Sequence, residues 1–105
     1  MGSVNSYEPQ PLERGRIGRV MAVRTTVLLF ATAREAVGRS ELHWPLPPPG
    51  VTVNTLVRDL GSRYPKLAPI LRQSRFVVNG RHVASRATRV RPGDEFAVHP
   101  PYGGG

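Results

Sequence analysis

One amphipathic helix, lying among short strand-like segments, is the feature that most limits the folds open to this 105-residue chain. The segment TVNTLVRDLGSRYP predicts a helix about 18 Å long, which Thr52 caps and Pro65 ends. Gly61 inside it should cost about 1 kcal/mol relative to alanine, which packing of the apolar side can offset. That side consists of residues at i, i+3, i+4, i+7 and i+11, namely Val53, Leu56, Val57, Leu60 and Tyr64.

Two strands are expected before this helix. Arg24–Phe30 is rich in β-branched and large apolar residues, and its alternation places Leu28 and Phe30 on one side and Val27 and Leu29 on the other. ATAREAVG predicts a short helical turn that stops at its glycine. SELHWPL then predicts a strand at the edge of a sheet, because the prolines around its end cannot donate to a further neighbour.

The segments after the helix predict a connector, a hairpin and a last strand. KLAPILRQ is a connector with a helical turn around Pro69, and Asn79-Gly80 between apolar segments is a strong hairpin signal. A turn at 92–94 leads into the strand Glu95–His99. This order predicts one α+β domain of the β-grasp type, in which a mixed sheet packs on one main helix. We expect a disordered leader at 1–22, the domain at 23–99 and an extended tail at 100–105.

Composition excludes several classes of function. The chain has no cysteine, so it offers no disulfide, thiolate metal site or cysteine nucleophile. Its formal charge of +8 suggests nucleic acid, but the arginines are scattered and not clustered, which favours a solvated basic surface or acidic protein partners. The longest apolar run, VLLFA, is far too short to span a bilayer. We therefore expect a soluble, cytoplasmic protein.

The side chains do not suggest a catalytic or metal site. His43, His82 and His99 lack the spacing of metal ligands and are better explained as surface or interface residues. Asp94 and Glu95 are neighbours that point to opposite faces, and Asp94 is better explained by its turn. We therefore expect no bound metal or cofactor.

The sequence ends in PPYGGG, for which two interpretations are open. Glycine-rich ends are commonly loose, so simple disorder is one. In the other, Pro100 and Pro101 stiffen the exit from the last strand, and Tyr102, Gly103 and Gly104 thread Gly105 into a cleft of another protein, up to about 20 Å away. A free carboxylate is ionised at neutral pH and reacts poorly with nucleophiles, so it would need activation, most simply as an acyl-adenylate.

Several segments together resemble one known family. VLLFATAREAVG, VNTLVRDLGSRYPKL, FVVNGRHV, RPGDEFAVHPP and the terminal Gly-Gly are similar to the small, sulfur-carrying subunit of molybdopterin synthase, a ubiquitin-like protein. The resemblance implies that an E1-like adenylating enzyme uses ATP to activate Gly105 and that a sulfur donor protein converts it to a thiocarboxylate. It also implies that the large synthase subunit then receives the tail. The chain would be the non-catalytic, sulfur-carrying subunit of that complex.

The same resemblance, combined with strand alternation, predicts a partner-binding face. It comprises Leu28, Phe30, Ala97 and His99, with His82 near its edge. An ordinary core position is the alternative for Phe30. Three functions remain open: the molybdopterin sulfur carrier, a related carrier for thiamine or tRNA thiolation or a protein modifier, and a basic β-grasp module that binds nucleic acid.

Overall fold

The computed structural model describes residues 23–101. The predicted leader at 1–22 and the tail residues 102–105 lie outside the described residues. Within 23–101 the chain forms seven strands and three helices. In chain order they are β1 (Arg24–Leu29), α1 (Ala31–Val37), β2 (Glu41–Pro45), β3 (Val51–Thr52), α2 (Val53–Arg63), α3 (Ala68–Gln73), β4 (Arg75–Val78), β5 (Arg81–His82), β6 (Arg89–Val90) and β7 (Glu95–His99).

Five strands form one mixed sheet in the order β2-β1-β7-β4-β5. The first and last strands, β1 and β7, run parallel at its centre, and the other pairs are antiparallel. The predicted mixed α+β fold is therefore confirmed. A second ladder pairs β3 with β6 over only two residues each, and it was not predicted from the sequence.

Helix α2 packs its apolar stripe against one face of the sheet. Val53, Leu56 and Leu60 are fully buried, as the helical spacing predicted. They share a core with alternate residues of the central strands, which are Val27, Leu29, Phe96 and Val98. The side chain of Thr52 accepts a hydrogen bond from the Thr55 N–H at 3.2 Å, which confirms the predicted N-cap.

Two boundaries differ from the sequence prediction. Strand β1 ends at Leu29, because Phe30 is the N-cap residue of α1 and no longer belongs to the ladder. The connector forms a six-residue helix, α3, with Leu71 and the preceding Leu67 buried in the core. Apolar residues at positions 67 and 71 are one helical turn apart, so the segment buries one side against α2. The short helix α3 thus packs beside α2 and helps to cover the same face of the sheet.

The turns follow the predicted chemistry. Gly38 ends α1 in the left-handed conformation, with φ of 85°. Asn79 and Gly80 both have positive φ, 50° and 81°, as a two-residue hairpin between β4 and β5 requires. Asp94 accepts hydrogen bonds from the Arg91 N–H at 2.8 Å and the Asn79 amide at 3.0 Å. Its carboxylate therefore ties two turns together, in agreement with the turn explanation.

Candidate partner-binding face and chain exit

The face of the sheet that points away from α2 brings three of the predicted partner-binding residues into one row. Leu28 of β1 pairs with Ala97 of β7, Ala97 pairs with Val77 of β4, and Val77 pairs with His82 of β5. Cross-strand partners project to the same side of a sheet. We call the surface formed by Leu28, Val77, Ala97 and the neighbouring Phe30 and His99 the outer face.

Burial along this row shows an apolar centre and an exposed edge. Leu28 and Val77 are half-buried, whereas His82 is exposed on the outermost strand. Ala97 is only 6% exposed, although it lies outside the core cluster that contains its neighbours Phe96 and Val98. Its small side chain is flanked by those of Leu28 and Val77, so it forms the floor of the outer face. Strand alternation predicts Ala97 on this face, and the register places it there, between Leu28 and Val77.

An aromatic pair lies at one end of the outer face. The Phe30 ring stacks on the His99 imidazole, with centroids 4.6 Å apart and planes 8° from parallel. Phe30 directly follows β1 and His99 ends β7, the parallel neighbour of β1, so the topology brings them together. Phe30 is 41% exposed, which argues against an ordinary core position. A partner that covered this pair would bury a large apolar ring that is already held in place.

The chain leaves the sheet next to this pair. Pro100 is half-buried and Pro101 is exposed, and both lie directly after the last strand. Neither proline has a backbone N–H, so neither can donate to the ladder beyond His99. A shallow cleft beside the exit is lined by the two prolines, His99, Gln73 and Arg75. Tyr102, Gly103, Gly104 and Gly105, which the sequence predicts to thread and to react, lie outside the described residues.

The third histidine, His43, lies beside an acidic side chain and not in a larger cluster of the described residues. His43 lies 3.0 Å from Glu41 on the exposed edge strand β2. Among residues 23–101, no three histidine or acidic side chains come together as a metal site would require. In the same range, no helix has the length and apolar composition to cross a membrane.

Two residues of this region were missed by the sequence reasoning. Val77 occupies the centre of the outer face, and Arg75 pairs with His99 beside the chain exit. The signal was available in part, because the apolar run FVV precedes the predicted hairpin turn and successive side chains of a strand point to opposite faces. The alternation alone does not reveal that β4 lies beside β7. The register of β4 follows only from the complete sheet order.

The mixed sheet packed on one main helix defines a ubiquitin-like β-grasp protein. Residues 27–105 match the model of the ThiS family, which is most of the chain and includes its last residue. The chain belongs to the ThiS family. The resemblance deduced from the sequence motifs is thereby confirmed at the level of the family.

Curated relatives and solved structures agree with this assignment. The chain is 30% identical to the molybdopterin synthase sulfur carrier subunit of Dictyostelium discoideum over 81% of this chain and all of that protein. It is 34% identical to small archaeal modifier protein 3 of Haloferax volcanii over 72% of this chain and 92% of that protein. A putative molybdopterin converting factor subunit 1 from Pyrococcus furiosus superposes with a TM-score of 0.66 at 29% identity, covering 75% of this chain and 98% of that one.

Proposed function

We propose that this protein is the sulfur carrier of a molybdopterin synthase and carries sulfur as a thiocarboxylate on Gly105. The observation that carries the proposal is the similarity to the Dictyostelium sulfur carrier subunit along the whole length of that protein. The fold supports it, because the last strand runs at the centre of the sheet and delivers the chain to the outer face. The protein would act as a substrate-bearing subunit and would contribute no catalytic side chain.

The chemistry at the terminus would proceed in three steps. A Gly105 carboxylate oxygen attacks the α-phosphate of ATP in an E1-like adenylating enzyme, and pyrophosphate leaves. The terminal sulfur of a persulfide on a donor protein then attacks the acyl carbon and displaces AMP, which gives an acyl disulfide. A thiol reductant attacks the donor's sulfur in that disulfide, forms a new disulfide with it and releases the thiocarboxylate. ATP is consumed by the partner and is not a cofactor of this chain.

Transfer of the sulfur would take place in the large subunit of the synthase. Gly103 and Gly104 have no Cβ and would pass through a narrow channel, while Pro100 and Pro101 direct the segment away from the sheet. The outer face would dock on the large subunit, with Phe30 and His99 beside the channel entrance. A cyclic pyranopterin precursor would receive the sulfur, and a second charged carrier would complete the dithiolene.

Reconstitution tests the proposal directly. The full chain is incubated with an adenylating enzyme, ATP and a sulfur donor, and intact mass spectrometry reads the replacement of oxygen by sulfur at Gly105. The charged protein is then mixed with the large subunit and precursor, and dithiolene formation is followed. We expect a variant lacking Gly104 and Gly105 to give neither product and to retain the thermal stability of the full chain. Product formation by the truncated variant would refute the role of the terminus.

A second candidate is supported by the similarity to an archaeal modifier protein. In that case the activated Gly105 would be attacked by a lysine amine of another protein, giving an isopeptide bond. Tryptic digests of host proteins would then contain lysines that carry the C-terminal residues of this chain, stable to acid. Thiocarboxylate without such conjugates favours the carrier, and conjugates that depend on Gly105 favour the modifier.

A further inference from the structure

A cleft between α2 and α3 lies in the helical layer, away from the outer face. An ideal Cβ placed on Gly61 would lie 3.2 Å from the Ala68 Cβ and 3.8 Å from a Leu71 methyl group. The missing side chain at position 61 therefore lets the two helices approach closely. The cleft is floored by Gly61, Ala68 and the edges of Val57 and Leu71. This floor is apolar. The close approach of the two helices explains why position 61 holds a glycine, although glycine weakens a helix locally.

Three arginines from separate segments surround this floor. Arg58 belongs to α2, Arg72 to α3 and Arg86 to the loop between β5 and β6, and all three are exposed. We call the surface formed by these arginines and the floor the arginine cleft. The fold, and not the local sequence, brings the three charges together, since they are scattered along the chain.

The arginines are only weakly engaged within the described part of the chain. Arg58 lies 3.9 Å from Asp59, but the two side chains are 70% and 52% exposed, and such pairs contribute little. The Arg86 guanidinium lies over the Phe76 ring at 5.2 Å, a contact that leaves its in-plane N–H donors available. Arg72 forms no ion pair with any residue of 23–101. The cleft thus offers N–H donors around an apolar floor.

We propose that the arginine cleft binds an acidic amphipathic segment of a partner protein. Carboxylates of the segment pair with the three guanidinium groups, and an apolar side chain lies on the floor between the helices. A nucleic acid would use the charges but not the floor, and none of the described residues that line the cleft is an aromatic on which bases could stack. The site does not depend on sulfur chemistry and leaves the outer face free, so two partners could be bound together.

Binding of a defined peptide to the full-length protein tests this proposal. The probe is a fluorescein-labelled peptide of repeated Asp-Leu-Glu, titrated at physiological ionic strength and followed by anisotropy. The test variant combines Arg58→Gln, Arg72→Gln and Arg86→Gln. The matched control removes three exposed arginines outside the cleft, Arg34→Gln, Arg39→Gln and Arg81→Gln, and so has the same net charge. Circular dichroism establishes that both variants are folded.

We expect the cleft variant to bind the peptide about tenfold more weakly and the control to bind within about twofold of the wild type. Replacing the leucines of the peptide by serine should also weaken binding, because the floor is apolar. Equal losses in both variants would show general charge attraction and refute the site. No measurable binding, or tighter binding of labelled single-stranded DNA through the same arginines, would also overturn the proposal. None of these outcomes involves Gly105, so they are independent of the proposed function.

Discussion

Truncation of Phe30 to alanine tests docking on the outer face, because Phe30 is the large apolar side chain that this face exposes. A phenylalanine exposes about 200 Å² when free, and 41% of the residue is exposed here, so a partner can cover about 80 Å² of it. At about 25 cal/mol per Å² this area contributes about 2 kcal/mol to docking. We therefore expect Phe30→Ala to raise the Kd for the proposed large subunit about 30-fold. Phe30→Glu should weaken docking further, because it places a charge at the interface.

The assay is isothermal titration calorimetry with the purified large subunit, together with urea unfolding of each variant. Phe30→Ala also loses the stack on His99 and part of its own burial, which should lower the free energy of unfolding by about 1–3 kcal/mol. Trp44→Ala is the matched control: Trp44 is half-buried, packs against the core and contacts Tyr64 with ring centroids 6.4 Å apart, away from the outer face. Trp44→Ala should lower the free energy of unfolding without raising the Kd for the large subunit. An unchanged Kd for Phe30→Ala would refute the docking role, and an equal loss for Trp44→Ala would attribute the effect to folding.

Three further predictions concern the fold, and urea unfolding measures each. Gly50 has φ of 101°, and an added Cβ would clash with the Val90 carbonyl oxygen, so Gly50→Ala should lower the free energy of unfolding by about 3 kcal/mol. Gly38→Ala, with φ of 85° and open space around the new methyl, should lose only about 1–2 kcal/mol; similar losses for both would show that the Val90 contact is unimportant. Thr52→Ala should lose about 1 kcal/mol and Thr52→Ser much less, because the cap needs a hydroxyl; equal losses would contradict the capping role. Asn79→Ala should lose about 1–2 kcal/mol, since it removes the side-chain bonds of a residue with positive φ, and no loss would exclude them as a source of stability.

The sequence predicted the elements that local chemistry determines and missed those that depend on distant partners. The periodicity of α2, its Thr52 cap and the Asn79-Gly80 turn were all predicted correctly, because each is set within a few residues. The ladder of β3 and β6 was missed because two-residue strands carry no periodic signal, and their pairing joins segments about 40 residues apart in the chain.

The residues of the candidate site also differ in whether local sequence or the tertiary fold determines their position. Alternation correctly placed Leu28 and His99 away from the core, since side-chain direction in a strand is local. The burial of Ala97 and the presence of Val77 beside it depend on the order of strands in the sheet, which alternation does not give. The arginine cleft is the extreme case, because its three charges come from three segments that only the tertiary fold brings together.

The last strand contributes alternate residues to the core and to the outer face. Phe96 and Val98 are fully buried against the helical layer, whereas Ala97 and His99 belong to the outer face. Because side chains alternate, no residue of this strand serves both faces, and the core can hold the fold while outer-face residues vary with the partner. The strand also leads directly into Pro100 and Pro101. A partner docked on the outer face, as proposed above, would receive the outgoing segment from a fixed position, and docking would restrict the volume that the proposed reactive terminus must search.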